Sequence, residues 1–144
     1  MYKFFGKRVL DIAISLWTLI IVSPLLAVIS IILLVHTRKS PFFFQTRVGY
    51  RGKLFRVFKF KTLTDARDSE GLLLPDDLRS FPLGTFLRRY SLDELPQLVN
   101  IIKGDMSIVG PRPWIPEQLD VFPGRCRMAR CSVRPGLTGM AQVY

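Results

Sequence analysis

The stretch from Ile12 to Val35, IAISLWTLIIVSPLLAVISIILLV, carries no charge and a single proline. As a helix rising ~1.5 Å per residue it is roughly 36 Å long, enough for the ~30 Å apolar core of a bilayer. Pro24 lacks an N–H and crowds the turn before it, so a kink is expected there. Ser23 can take up backbone groups that the proline frees, which lets a break persist in lipid. Each half, roughly 18 Å long, matches one leaflet.

The flanks bear on topology. Lys3, Lys7 and Arg8 precede the run, and Arg38 and Lys39 follow it. Basic flanks stay on the cytoplasmic side, so cations at both ends favour a re-entrant hairpin entering one leaflet. A kinked span and a buried soluble helix are the other readings. A signal peptide fits poorly, because the apolar run is too long and no small-x-small site follows.

The whole chain, 144 residues, has the size of one ordinary domain, and outside this run its composition is ordinary. The net charge of +10 and a pI of about 10.2 point to polyanionic partners: an anionic membrane surface, phosphorylated small molecules or nucleic acid. Between Asp11 and Asp65 every charged residue is basic. A simple nucleic-acid binder leaves the apolar run without a role. With one histidine, His36, and two cysteines, Cys126 and Cys131, a zinc site is excluded and no disulfide framework is expected. The cysteines read as structural and His36 as interfacial, so acid–base work falls to carboxylates.

Further along, Phe42 to Val48 and Leu54 to Lys61 flank Gly49-Tyr50-Arg51-Gly52 and predict a β-hairpin. The aromatic–cationic run LFRVFKFK suits either a membrane headgroup zone or a half-buried strand with a solvated face. Residues 64–81 are polar and predict a loop or helix away from the membrane. Leu83 to Tyr90 is an amphipathic helix candidate. Leu95, Leu98, Val99 and Ile102 place a second helix over Leu95 to Lys103, with Gly104 as its stop. The segments 110–113 and 134–139 read as rigid loops, each with an arginine.

Between the two helices lies RRYSLDELPQLVN, residues 88–100. Ser91-Leu92-Asp93-Glu94 matches a capping box, and acids suit a first helical turn. A second reading is chemical. Adjacent carboxylates beside Arg88 and Arg89, with Arg112 in a stiff Pro111-Arg112-Pro113 turn, can hold Mg²⁺ and a diphosphate together. One carboxylate could attack phosphorus. The two readings are compatible, since a cap can present a nucleophile.

Five motifs in order resemble the bacterial sugar-transferase family, in its small monotopic phosphoglycosyl transferase form. They are F-x-Q-x-R-x-G (Phe43, Gln45, Arg47, Gly49), K-F-K-T-L (59–63), F-L-R-R-Y-S-L-D-E-L-P-Q-L-x-N (86–100), G-D-M-S-I-V-G-P-R-P (104–113) and R-P-G-L-T-G-x-A-Q (134–142). The resemblance covers essentially the whole chain. It implies an α/β, mostly α, monotopic membrane protein: a re-entrant broken N-terminal helix (residues 1–40, broken at Ser23-Pro24), a β-hairpin, interfacial amphipathic helices, and one continuous catalytic domain (residues 41–144). The site would lie at the cytosolic face of the cytoplasmic membrane.

The implied reaction moves a sugar-1-phosphate from a UDP-sugar to a polyprenyl phosphate and releases UMP. It uses Mg²⁺ and a covalent phosphosugar on Asp93, with Glu94 as partner in metal or proton handling. Lys59, Arg88 and Arg112, with Pro111 and Pro113, are the implied phosphate and nucleotide binders. Membrane lipids and a second copy of the chain are further implied partners; nucleic acid is not. The alternatives are direct Mg²⁺-assisted attack without a covalent intermediate, and a non-catalytic membrane-anchored binder of polyanions. Two departures stand out. Lys61 and Thr62-Leu63 replace the family's usual R-S-M, trading a bidentate cation for a point charge. The chain also stops at Tyr144, where many members continue, which implies a minimal member or a piece of a longer protein.

Overall fold

The computed structural model describes residues 2–119 and 124–139. Helix α1 spans Tyr2–Thr37 with Pro24 inside it. Its stretch Phe5–Thr37 is long and apolar enough to cross a membrane, and little of it is covered by the rest of the chain. The helix runs through Pro24 without interruption of its helical backbone. Pro24 has no N–H to give the carbonyl of Ile20, four residues back, and Ser23 Oγ donates to that carbonyl at 2.8 Å.

Strands β1 (Phe42–Val48) and β2 (Leu54–Phe60) pair as the expected hairpin. Its turn is closed by Gly49 N–H donating to the Lys53 carbonyl at 2.8 Å. Residues 64–81 form a loop with isolated antiparallel bridges, Leu63 with Ser80 and Arg67 with Leu73, and a single-turn helix α2 (Asp76–Arg79). Helix α3 (Pro82–Arg89) is the amphipathic element read from 83–90, with Gly84 and Leu87 buried.

The second predicted helix differs from its expectation. It opens as a 3₁₀ turn over Leu92–Gln97, with Pro96 inside, and becomes α4 only over Leu98–Lys103. Of the predicted stripe Leu98 is buried, while Leu95, Val99 and Ile102 are half-buried and Asn100 and Ile101 complete the buried face. Gly104 ends it as expected, with φ 105° in the left-handed region. The 110–113 loop follows a short strand, but the expected loop at 134–139 itself holds one, because Gly136–Thr138 finds a parallel partner. β3 (Ser107–Val109) and, after helix α5 (Gly124–Cys131), β4 (Gly136–Thr138) pair in parallel, Ser107 opposite Gly136 and Val109 opposite Thr138.

The chain forms two compact units, each drawing on both of the segments 1–40 and 41–144. One comprises the chain up to Ser23, Phe44–Phe58, and residues from Gln97 onward; the other comprises Pro24–Phe43 and Lys59–Pro96. In the first, Leu98, Ile101 and Met106 are buried against Leu19, Val22, Phe55, Ile108 and Leu137. Asn100 braces this core: its Nδ2 donates to the Arg56 carbonyl at 2.8 Å and its Oδ1 accepts Phe58 N–H at 3.0 Å. In the second, Ile29, Leu33, Phe60, Phe81 and Leu87 form the core, with Leu26, Phe42, Leu83 and Leu92 against it. The His36 ring rests 5.0 Å from that of Phe81.

Lys7 and Arg8, in the N-terminal flank, are engaged internally. Arg8 donates to the carbonyls of Ile101, Ile102 and Met106, closing the C-terminal end of α4. Lys7 donates to Asp11 Oδ2 at 2.9 Å and to Ser107 Oγ.

Candidate active site

Asp93, Glu94, Lys59 and Arg88 all belong to the second unit. Helix α3 delivers Arg88, the end of β2 delivers Lys59, and the 3₁₀ turn delivers the two acids. Between α3 and that turn stands Ser91, with φ 54°. A left-handed serine costs on the order of 1–3 kcal/mol, a strain found most often where function requires it.

The capping box is not formed. Ser91 is not in the extended conformation an N-cap needs, and its N–H donates to the Arg88 carbonyl at 3.1 Å. Glu94, rather than turning back to Ser91, accepts from Lys59 Nζ at 2.6 Å. Both partners of this pair are about four-fifths covered, so it is screened far less than a surface ion pair.

Asp93 is 8 % exposed. Burial pushes its carboxyl above the ordinary aspartate range, Lys59 pulls it back, and the neighbouring Glu94 charge pushes it up again. Among the described residues no side chain hydrogen-bonds to it; its own backbone N–H does, and the remaining lone pairs are open to an incoming group.

Arg88 is positioned by Thr62, which the sequence showed only as part of the K-F-K-T-L motif, with no role attached. Its Nε donates to Thr62 Oγ1 at 3.0 Å, and Thr62 is buried. Helix α3 reaches that close because Gly84 lies against the same residue: a Cβ there would sit 2.2 Å from the Thr62 carbonyl oxygen. A second contact joins Arg88 to Asp76 at 3.5 Å. Lys61, at the departure from the family pattern, pairs with Asp65 at 2.6 Å, and Lys39 joins the same oxygen at 3.0 Å. The two lysines hold Asp65 down to about 2.

Pro111, Arg112 and Pro113 belong to the first unit. Their turn is fixed through its backbone. Arg47 donates to the Pro113 carbonyl at 3.1 Å and to Gln45 Oε1, Gly136 N–H donates to the Pro111 carbonyl at 3.0 Å, and Val48 N–H donates to the Trp114 carbonyl at 2.8 Å. Arg112 itself is exposed beside a small cleft that it shares with Trp114 and Arg130. The Arg130 guanidinium lies 4.6 Å from the Trp114 ring, an aromatic–cation pair that the sequence did not single out. Cys131 is a free thiol. The side chain of Cys126, residues 140–142 of the last motif and Tyr144 lie outside the described residues.

Among the described residues no three histidine, cysteine or acidic side chains gather as metal ligands. Asp93 and Glu94 alone suit a cation such as Mg²⁺, which takes one or two carboxylates and completes its shell with phosphate oxygens and water.

A buried carboxylate beside a lysine–glutamate pair, in a chain with a membrane-length apolar helix, is suited to phosphate chemistry near a lipid surface. Residues 2–144 match the bacterial sugar transferase family, and the chain belongs to it. It is 40 % identical over 137 residues to the uncharacterized sugar transferase EpsL of Bacillus subtilis, covering 95 % of this chain and 67 % of that protein. It is 38 % identical over 141 residues to a UDP-glucose:undecaprenyl-phosphate glucose-1-phosphate transferase of Klebsiella pneumoniae, and 37 % identical over 145 residues to an undecaprenyl-phosphate glucose phosphotransferase of Komagataeibacter xylinus. Each match covers 95 % of this chain but only 30 % and 27 % of those longer proteins.

Proposed function

We propose that the chain transfers a sugar-1-phosphate from a UDP-sugar to a polyprenyl phosphate, as the names of its longer relatives describe for theirs. An Asp93 oxygen attacks the sugar-bearing phosphorus of the diphosphate. The bond from that phosphorus to the bridging oxygen breaks, and UMP leaves with the bridging oxygen. A polyprenyl-phosphate oxygen then attacks the phosphorus of the acyl phosphate, releasing the Asp93 carboxylate and a polyprenyl-diphosphate sugar.

The observation that carries this reading is the buried Asp93 with no side-chain donor, beside the Lys59–Glu94 pair. A carboxylate without side-chain donors keeps lone pairs free for attack, and Lys59 opposes its protonation. Arg88, oriented by Thr62, offers N–H groups to phosphate oxygens. Asp93 and Glu94 are the residues that would hold Mg²⁺, whose charge offsets that of the diphosphate. Arg112 belongs to the other unit, and only the P-R-P motif assigns it to the nucleotide phosphates.

The same reading replaces the expected break with a bend at Pro24 inside the continuous helix, by which α1 would enter and leave one leaflet of the cytoplasmic membrane from the cytosolic face. Its support is basic residues at both ends and a serine hydroxyl that satisfies the carbonyl Pro24 frees. The test is UMP release from a panel of UDP-sugars with polyprenyl phosphate and Mg²⁺, together with mass spectrometry of the chain after donor alone. A phosphosugar adduct on Asp93 is expected. UMP release that requires the acceptor and leaves no adduct would replace the covalent route with direct attack.

A further inference from the structure

A cavity of about 300 Å³ lies against the first turns of α1, lined by Lys7, Arg8 and Asp11 and, from the rest of the first unit, by Tyr50, Ser107 and Arg134. Its charges do not balance. Asp11 is its one carboxylate, and it is fully engaged: Lys7 Nζ and Ser107 Oγ donate to Oδ2 at 2.9 and 2.8 Å, and Ile108 N–H approaches Oδ1 at 3.4 Å. The arginines have only neutral acceptors. Arg8 donates to three backbone carbonyls, and Arg134 Nε donates to the Gly104 carbonyl at 2.9 Å while its guanidinium lies 5.4 Å from the Tyr50 ring. Among the described residues neither arginine forms an ion pair.

Asp11, already held by Lys7 and Ser107, and Asp105, outside the cavity wall, act on Arg8 without pairing with it, so two guanidinium charges and Lys7 share one wall carboxylate. Like charges brought out of water need a counter-anion. One arginine is enough to close the end of α4; the second keeps four N–H groups beyond Nε, in the fork that fits a phosphate. The space exceeds what a simple ion fills and is of the size of small-molecule sites. One turn further along α1 the apolar run begins, with Ile14 and Trp17 exposed. A ligand with a phosphate head and an apolar tail matches both surfaces.

We propose that this cavity binds a phosphate mono- or diester through Arg134 and Arg8, with Lys7 at its edge. No bond is made or broken there. The inference rests on the membrane reading above only for the source of the phosphate: an anionic phospholipid for a chain lying in a bilayer, a soluble phosphate ester otherwise.

The test is native mass spectrometry of the full chain in neutral detergent, titrated with phosphatidylglycerol, with diacylglycerol, which lacks the phosphate, and with glycerol phosphate, which lacks the tails. One phosphatidylglycerol per chain is expected, with diacylglycerol held at least about tenfold more weakly. Arg134→Gln should weaken it by a similar factor. So should Ser132→Glu, which puts a carboxylate on an exposed position of the cavity wall without removing a packed group, and which decides the matter where Arg134→Gln does not fold. Glycerol phosphate binding as tightly as the lipid would assign the site to soluble esters. Diacylglycerol held as tightly as phosphatidylglycerol, neither phosphate ester held, or Ser132→Glu binding as the native chain does, would each overturn the proposal. The readout uses neither a sugar donor nor Asp93, so it stands or falls apart from the transfer reaction.

Discussion

Asp11 and Asp93 are equally sealed, at 7 % and 8 % exposed, yet their surroundings differ in kind. Asp11 accepts from a lysine, a serine and a backbone N–H and ties the start of α1 to β3. Asp93 has no side-chain donor among the described residues, and burial leaves its charge costly. Burial alone therefore does not tell a structural carboxylate from a reactive one. The donors do, because a carboxylate whose lone pairs are filled cannot attack.

The sharpest way to break this contrast is Asp93→Asn. It should lower UMP release by at least about 10³-fold. It should also raise stability by about 1 kcal/mol in urea denaturation, since it removes a costly buried charge. The sign follows from linkage. A carboxyl raised above its unfolded value favours the fold below the ordinary aspartate range, and that contribution is lost as pH rises through the raised value. At neutral pH the native aspartate is therefore a net cost. Asp11→Ala should act oppositely, losing about 3 kcal/mol because Lys7 and Ser107 are left without their acceptor. A stability gain there, or a loss at Asp93, would erase the distinction.

A smaller effect is expected at Gly84→Ala. The added Cβ must push α3 away from Thr62, costing about 2 kcal/mol in the same denaturation assay and loosening Arg88. Lys59→Met sharpens the comparison from the cation side. With the lysine gone Asp93 is harder to ionise, so the acid limb of the kcat/KM profile should move to higher pH. An unmoved limb would mean that Asp93 does not set it. The smallest effect belongs to Asp65→Asn. Asp65 is held at about 2, so its contribution is present above the ordinary aspartate range and fades as pH falls toward 2. Its side chain is largely solvated, so at neutral pH the loss should stay below about 0.5 kcal/mol and shrink with salt.

Much of this arrangement was legible in the residues. The hairpin followed from a Gly-rich turn between aromatic runs, α3 from its amphipathic spacing, and the stop at Gly104 from glycine's freedom at positive φ. The acids of the site, with Lys59 and Arg88, were readable as chemistry-bearing types close to one another in motif order. Three things were not. Ser91 looked like a cap, because the pattern of residue types cannot reveal a left-handed backbone. Thr62 and Asn100 act through partners in distant strands and helices, which local spacing does not encode. The β3–β4 pair is two three-residue strands joined across a long excursion, too short for any period to show.

The cores have one more consequence, and it concerns the order of synthesis. α1 leaves the ribosome ahead of its partners, since every residue outside it that packs in either core comes later in the chain. Leu26, Ile29 and Leu33 wait for Phe60, Phe81 and Leu87, and Leu19 and Val22 wait for Leu98, Ile101 and Met106. At the ~5–20 residues per second of translation, the helix spends seconds as a bare apolar rod at the tunnel exit. Whatever shelters it in that interval, lipid or chaperone, meets the chain before any part of its active site exists.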